Sequence, residues 1–188
     1  MKFIQTKIKD LIICEPKVFE DERGYFFESF NQKAFEAFIG KEIKFCQDNE
    51  SKSSYGILRG LHFQKMPFTQ SKLVRVIKGK VLDVVVDLRE DSESFSESFS
   101  IELTEINKRQ LFVPRGCAHA FIVLEEDTIF TYKVDNYYEP KYENGLIYND
   151  KSLNIDWKID SKYITLSDKD KLNDSLKNVY TFKGELYD

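Results

Sequence analysis

The chain has 188 residues, enough for one sizeable hydrophobic core but too few for two ordinary domains. Its apolar fraction of 41%, with 16 Phe and 10 Tyr, excludes a disordered chain and favours β-strands, because aromatic side chains suit a pleated, half-buried surface. The formal net charge of -4 argues against general nucleic-acid binding, which requires a basic face.

The first residues and the cysteines both favour a cytoplasmic protein. Residues 1–16 contain no apolar run of signal-peptide length, and no later run approaches the roughly 18 residues of a membrane span. Cys14, Cys46 and Cys117 are odd in number and widely spaced, so they predict neither a disulfide framework nor a C-x-x-C metal site. We therefore expect buried free thiols and no membrane partner.

The first 140 residues contain one helix candidate among many strand candidates. Residues 31–39 predict a short helix, because Asn31 suits an N-cap and apolar residues follow at helical spacing. Further strand candidates are residues 24–30, 57–64, 99–103, 110–113, 119–124 and 128–134. Many short strands separated by turn signals predict an antiparallel barrel or jelly roll.

Residues 71–88 contain two apolar runs separated at Gly79 and Lys80, a pattern that predicts a tight hairpin. In the second run the even-numbered positions from 82 to 88 are all apolar, whereas Asp83 and Asp87 fall on the opposite face. A plain sandwich would fill that face with apolar groups. The two carboxylates therefore predict that this face lines a cavity.

From about Pro140 the strand pattern weakens and turn residues become more frequent. We expect loops and short helices in residues 141–188, folded over one end of a barrel whose core spans about residues 20–140. The prediction is a single domain over residues 1–188.

The two histidines, His62 and His119, lie in separate strand-like segments. A metal-binding barrel of this kind needs about three imidazole ligands and commonly a nearby carboxylate. His62 is followed by Phe63 and Gln64, so the H-x-H pair is absent. We predict no metal site.

Segments along most of the chain resemble the dTDP-4-dehydrorhamnose 3,5-epimerase family. In family order and spacing these are FEDERGYFFE at 19–28, QDN at 47–49, GILRGLHFQ at 56–64, KLV at 72–74, DVVVDLR at 83–89, PRGCAHAF at 114–121, YK at 132–133, YY at 137–138 and LSDKD at 166–170. The resemblance implies an all-β, cupin-type antiparallel barrel or jelly roll with a few short peripheral helices. It also implies an isomerase without metal or cofactor that binds a nucleotide-diphosphate sugar and works as a homodimer.

The activity that the resemblance implies is inversion of C3, C5 or both in a nucleotide-linked 4-keto-6-deoxy sugar. His62 matches the base that removes the proton beside the ketone, and Asp170 matches the carboxylate that orients this imidazole. Lys72 matches a group that stabilises the enolate, and Tyr132 matches the acid that returns a proton to the opposite face.

The resemblance also implies a set of substrate-binding residues. Arg23, Arg59 and Lys169 match positions for the pyrophosphate, while Glu28, Gln47, Asn49 and a stacking Phe26 match positions for the nucleotide. The remaining members are His119, Tyr138 and Glu143, and we expect Asp83 to orient His119. In this family the N-terminal strands reach into the neighbouring subunit, so a partner would supply part of each nucleotide site.

Two departures from the family pattern leave alternatives open. Cys117 and Ala120 replace a larger aromatic residue and a glycine, which predicts an altered cavity wall near His119. A C3 or C3/C5 epimerase of a GDP-linked 4-keto-6-deoxy heptose in capsule synthesis is one alternative. The others are a nucleotide-sugar 3,4-ketoisomerase, which usually lacks the complete catalytic set, and a noncatalytic sugar-binding cupin.

Overall fold

The computed structural model describes residues 1–187, and most of its strands form two antiparallel sheets packed face to face. In chain order the first strands are β1 (Lys2–Gln5), β2 (Ile12–Glu15), β3 (Phe19–Asp21), β4 (Gly24–Phe26), β5 (Gln47–Ser53), β6 (Leu58–Gln64) and β7 (Lys72–Lys78). The later strands are β8 (Lys80–Asp87), β9 (Ser98–Thr104), β10 (Gln110–Val113), β11 (Cys117–Val123), β12 (Thr128–Val134) and β13 (Glu143–Gly145). The helix α1 spans Gln32–Ile39, and short 3-10 helices occupy Pro140–Tyr142, Ser161–Tyr163 and Asp170–Leu172.

One sheet has six strands in the order β1-β2-β10-β7-β12-β5, and the other has five in the order β13-β6-β11-β8-β9. Strands β3 and β4 form a separate two-stranded hairpin. The predicted all-β antiparallel class with short peripheral helices is confirmed. The barrel begins earlier than predicted, however, because β1 and β2 are part of the six-stranded sheet.

The space between the sheets contains both an apolar core and a cavity. Apolar side chains of both sheets meet there, including Val74, Leu111 and Phe130 from one sheet and Val81, Val85 and Phe121 from the other. The predicted alternation of β8 is confirmed, because Leu82, Val84, Val86 and Leu88 pack on the outer face of their sheet. Asp83 therefore faces the interior, as expected.

Helix α1 covers part of the outer face of the six-stranded sheet. Asn31 caps the helix by accepting a hydrogen bond from the backbone N–H of Ala34, which confirms the predicted N-cap. Phe35 is buried and packs edge-on against Phe112 of β10, with ring centroids 5.0 Å apart. This contact fixes the helix on the sheet.

The C-terminal segment covers the outer face of the five-stranded sheet rather than one end of the barrel. Leu153, Trp157 and Phe182 pack against the apolar outward residues of β8 and β11, such as Val84 and Ala120. This differs from the prediction, because an outer sheet face made of Val and Ala must itself be buried. Covering it also brings the 165–170 segment to the edge of the barrel, where Thr165 pairs with Ile57.

The prediction of a hairpin at residues 71–88 is wrong. Strand β7 lies between β10 and β12 in one sheet, whereas β8 lies between β11 and β9 in the other. The chain changes sheets at Gly79, which has φ +82, and a Cβ there would lie 2.3 Å from Thr128 Oγ1. Glycine permits both the backbone conformation and the close approach.

Cys14 and Cys117 are buried free thiols as predicted, whereas Cys46 is exposed. Across residues 1–187, no helix is long and apolar enough to cross a membrane.

Candidate active site

A cavity of about 620 Å³ opens between the two sheets. Its walls come from both sheets and from the 165–170 segment. Among its lining residues are Asn49, Arg59, His62, Lys72, His119, Tyr132, Lys169 and Asp170. The four residues predicted to be catalytic therefore line a single cavity, with several of those predicted to bind substrate.

His62 lies on β6 and is bonded through Nε2 to Oδ1 of Asp170. The imidazole is partly exposed, whereas the Asp170 carboxyl is almost completely buried. Burial of Asp170 disfavours its charged form, but hydrogen bonds from His62 and Ser167 outweigh this effect and lower its pKa. An ionised Asp170 can fix the orientation of the ring and stabilise a positive charge on it.

His119 lies on β11 and is bonded to Asp83, with Nε2 2.9 and 3.0 Å from the two carboxylate oxygens. Both side chains are buried. Burial raises the pKa of Asp83, although the interactions of its carboxyl with His119 and with the ammonium of Lys72 act in the opposite direction. The predicted pairing of Asp83 with His119 is thus present in the geometry.

Lys72 begins β7 and projects its ammonium towards the same cavity. Burial lowers the pKa of Lys72 to about 8, while the negative charges of Asp83 and Glu143 favour its charged form. The side chain therefore changes charge close to physiological pH.

Tyr132 lies on β12, so it reaches the cavity from the six-stranded sheet, whereas His62 reaches it from the five-stranded sheet. Burial raises the pKa of the Tyr132 phenol, and the nearby charge of Arg59 partly offsets this shift. The phenol is therefore protonated at neutral pH and available as a proton donor.

Three predicted binding residues, Gln47, Tyr138 and Glu143, do not line the cavity themselves but are connected by hydrogen bonds to residues that do. Arg59 donates from Nε to Ser53 Oγ at 3.2 Å, and Gln47 donates to Asn49 Oδ1 at 2.8 Å. Arg59 and Asn49 both line the cavity, so these bonds hold one guanidinium and one amide in its wall.

Glu143 is the centre of a second polar cluster, because its carboxylate accepts hydrogen bonds from both Tyr138 and Lys169, and Lys169 lines the cavity. Burial disfavours its charged form, but the bonds from Lys169 and Tyr138 lower its pKa overall. The same bond to Glu143 raises the pKa of Tyr138 to about 12.

Arg23, Phe26 and Glu28 also do not line this cavity in the single chain. Arg23 is 85% exposed and pairs with Asp21 of its own hairpin. Phe26 is 71% exposed, and Glu28 bonds only locally, accepting from Asn31 Nδ2 at 3.1 Å. The structure therefore separates these three residues from His62 within one protomer.

The predicted change of the cavity wall at positions 117 and 120 is wrong. Ala120 faces the outer cluster, where it packs beside Gly60, because neighbouring residues of a strand alternate between the two faces. Cys117 faces inward but lies in the apolar core at the end of β11. The wall near His119 is instead built by Phe121 and Phe130, whose rings stack with centroids 4.0 Å apart.

These two phenylalanines were missed as cavity residues. A signal was present, because Phe121 follows His119 by two positions and Phe130 precedes Tyr132 by two, and such residues share a strand face. Ser51 and Ser167 also line the cavity without having been predicted. Within residues 1–187, no group of three His, Cys, Asp or Glu side chains is placed to hold a metal ion.

Comparison with known proteins identifies one family. Residues 5–178 match the family model described as dTDP-4-dehydrorhamnose 3,5-epimerase. The enzyme of that name from Shigella flexneri is 50% identical over 170 residues, which cover 90% of this chain and 93% of the relative.

Solved structures show the same relationship. The dTDP-4-dehydrorhamnose 3,5-epimerase from Elizabethkingia anophelis has a TM-score of 0.93 and 51% identity, covering 96% of this chain and 99% of the other. The dTDP-6-deoxy-D-glucose-3,5-epimerase from Legionella pneumophila was solved in complex with dTDP-4-keto-L-rhamnose. It has a TM-score of 0.90 and 43% identity, and the match covers 95% of this chain and 94% of the other. The chain belongs to the dTDP-4-dehydrorhamnose 3,5-epimerase family.

Proposed function

We propose that this protein inverts C3, C5 or both in a dTDP-linked 4-keto-6-deoxy sugar through an enolate intermediate. The observation that carries this proposal is the placement of His62 and Tyr132 on opposite sheets facing one cavity, with Lys72 also in its wall. Inversion requires a base on one side of a carbon and an acid on the other. The ammonium then stabilises the charge that develops on the ketone oxygen.

In the first step His62 removes the proton from the carbon beside the ketone. Asp170 keeps the accepting nitrogen directed into the cavity and stabilises the imidazolium that forms. As the C–H bond breaks, the electron pair moves to the carbonyl oxygen, and the charge of Lys72 stabilises the resulting enolate.

In the second step Tyr132 donates its proton to the opposite face of the same carbon. Its raised pKa keeps the phenol protonated before this transfer. Solvent exchange would then restore the starting protonation states of His62 and Tyr132 before the next inversion.

We assign the pyrophosphate to Arg59 and Lys169, which line the cavity and carry positive charge. The ligand in the Legionella relative, dTDP-4-keto-L-rhamnose, has the chemistry that this assignment requires. Gln47, Asn49, Tyr138 and Glu143 would complete the binding surface.

We further propose a homodimer in which the β3–β4 hairpin of each protomer completes the nucleotide site of its partner. In the single chain this hairpin leaves Phe19, Tyr25 and Phe26 exposed, although large aromatic side chains gain free energy from burial. Arg23 and Glu28 on and beside the hairpin would then contact the partner's nucleotide. A cytoplasmic location is part of the same proposal and fits the three free thiols.

Mixing two defective subunits tests the shared site. Coexpressed Arg23→Ala and His62→Asn chains should regain about a quarter of wild-type activity, because half of randomly assembled dimers would be mixed and each would hold one intact site. Homodimers of either variant serve as controls. Activity no higher than the average of these two controls would reject the shared site.

The reaction itself is tested by incubating the purified protein in deuterated water with dTDP- and GDP-linked 4-keto-6-deoxy sugars. We expect deuterium at C3, C5 or both of the dTDP sugar, located by NMR, and inverted product. Label only in a GDP-linked heptose would change the substrate assignment. Movement of the carbonyl would identify a ketoisomerase, and binding without exchange would identify a noncatalytic protein.

A further inference from the structure

Gln64 lies on β6 two residues after His62, and it is buried, with 5% of its surface accessible to solvent. Its carboxamide forms two hydrogen bonds. Nε2 donates to the backbone carbonyl of Tyr137 at 3.3 Å, and Oε1 accepts from the backbone N–H of Glu139 at 2.8 Å. The two partners are the residues on either side of Tyr138.

This arrangement fixes the backbone of Tyr138 from both sides. The carboxamide takes the place of a neighbouring peptide group, because it offers one donor and one acceptor in the same plane. Tyr137 and Tyr138 are themselves exposed, so apolar packing contributes little to holding this loop. Its order depends on polar anchors such as Gln64.

Gln64 also sets the position of Glu143. Their backbones are paired in the register of β6 with β13, and the Tyr138 hydroxyl donates to the Glu143 carboxylate. Gln64 therefore positions both partners of this hydrogen bond. Its side chain positions Tyr138, and its backbone pairs with that of Glu143. Lys169, which lines the cavity, bonds the same carboxylate.

We propose that Gln64 is a positioning residue that holds Tyr138 against Glu143, which is bonded to the cavity residue Lys169, a role that rests on the proposed function. It acts on substrate binding through Tyr138 and does not touch the reacting carbon. Leucine would lose both hydrogen bonds, and glutamate in its charged form would keep the acceptor but present a carboxylate to the Tyr137 carbonyl. Either change would deprive the loop backbone of a hydrogen-bond partner.

The test compares Gln64→Leu, Tyr138→Ala and the double variant. We expect Gln64→Leu to raise KM about tenfold with a smaller change in kcat, because the lost bonds position a binding residue rather than the base. In the Tyr138→Ala background the same change should raise KM by less than about threefold, because the positioned side chain is already absent.

A matched control is Gln70→Leu. Gln70 donates to the carbonyl of Asn136 in the same loop at 2.7 Å, but it does not bracket Tyr138. We expect a KM within about threefold of wild type for this variant. An equal rise in KM for both variants would overturn the proposal, because it would indicate general loosening of the loop.

Two further results would overturn it: a wild-type KM in Gln64→Leu, or an undiminished effect in the Tyr138→Ala background. Titration calorimetry with dTDP provides a readout that does not need turnover, and Gln64→Leu should bind about tenfold more weakly. If the wild-type protein binds dTDP but catalyses no exchange, the proposed function fails while the calorimetric comparison still tests Gln64.

Discussion

His62 and His119 lie directly opposite each other on the antiparallel strands β6 and β11, and each is bonded to its own carboxylate. Asp170, from the C-terminal segment, serves His62, while Asp83, from β8, serves His119. The His62 side chain is 29% exposed and that of His119 only 6%. The more accessible imidazole suits proton transfer with a substrate carbon, and the buried one suits a fixed hydrogen-bonding role.

Replacing Asp83 with Asn should impair turnover without unfolding the protein. The amide preserves the size of the side chain but removes the charge that orients His119, and we expect kcat to fall about 100-fold. Asp87→Asn is the matched control, because Asp87 is also buried on β8 but bonds Arg89 rather than a cavity residue. Wild-type kcat in Asp83→Asn, measured alongside thermal unfolding, would reject the orienting role.

The pH dependence of kcat/KM should reflect the ionisation of Lys72. Its pKa of about 8 lies below the ordinary lysine value because of burial, so the stabilising ammonium is present below pH 8 and is lost as the pH rises. We therefore expect kcat/KM to decline above about pH 8. The phenol of Tyr132 would lose its proton only at higher pH, because its pKa is raised.

The variant Lys72→Met distinguishes a decline in activity caused by deprotonation of Lys72 from one caused by another ionisable group. The variant should lose about 100- to 1000-fold in kcat, judged from the effect of removing one oxyanion donor, and its remaining activity should lack the decline near pH 8. If the decline persisted in Lys72→Met, another group would be responsible for it.

Gly60→Ala should destabilise the fold. Gly60 has φ +132, and a Cβ there would lie 2.4 Å from the Ala120 Cβ and 2.7 Å from the His119 carbonyl oxygen. Steric overlap and backbone strain together should lower the free energy of unfolding by about 2 to 5 kcal/mol. Urea denaturation followed by Trp157 fluorescence measures this change.

Gly184→Ala is the control, since Gly184 has φ +72 but a Cβ added there would meet no atom within 4 Å. It should lose only about 1 kcal/mol, from backbone strain alone. If both variants lost the same free energy of unfolding, the contact of position 60 with β11 would have little effect on stability.

The sequence predicted most strands in which apolar residues alternate or run together, and it predicted α1 with its cap. Strand β5 was missed because Gln47–Ser53 contains only polar residues: Asp48, Glu50 and Lys52 are exposed, while Asn49 and Ser51 are partly buried and line the cavity. Gly79 was correctly identified as the break between two strands, but such a signal does not specify which sheet the next strand joins. That choice depends on long-range packing.

The catalytic residues were predicted from a resemblance and not from periodicity. His62 and Asp170 are 108 positions apart, and no local pattern links them. The two hydrogen bonds of Gln64 on either side of Tyr138 could not be predicted either, because they depend on the path of the loop after β12. In contrast, the inward direction of Asp83 followed from strand alternation alone.

The roles of His62 as base and Tyr132 as acid are tested most directly by comparing hydrogen exchange in deuterated water between His62→Asn and Tyr132→Phe. Tyr132→Phe should still exchange the substrate C–H within about tenfold of the wild-type rate, because His62 can remove a proton and return a deuteron to the same face, while inverted product falls at least about 100-fold. His62→Asn should lose both exchange and inversion. Exchange that survives in His62→Asn, or inversion that continues at the wild-type rate in Tyr132→Phe, would contradict the assignment of base and acid to opposite walls of the cavity.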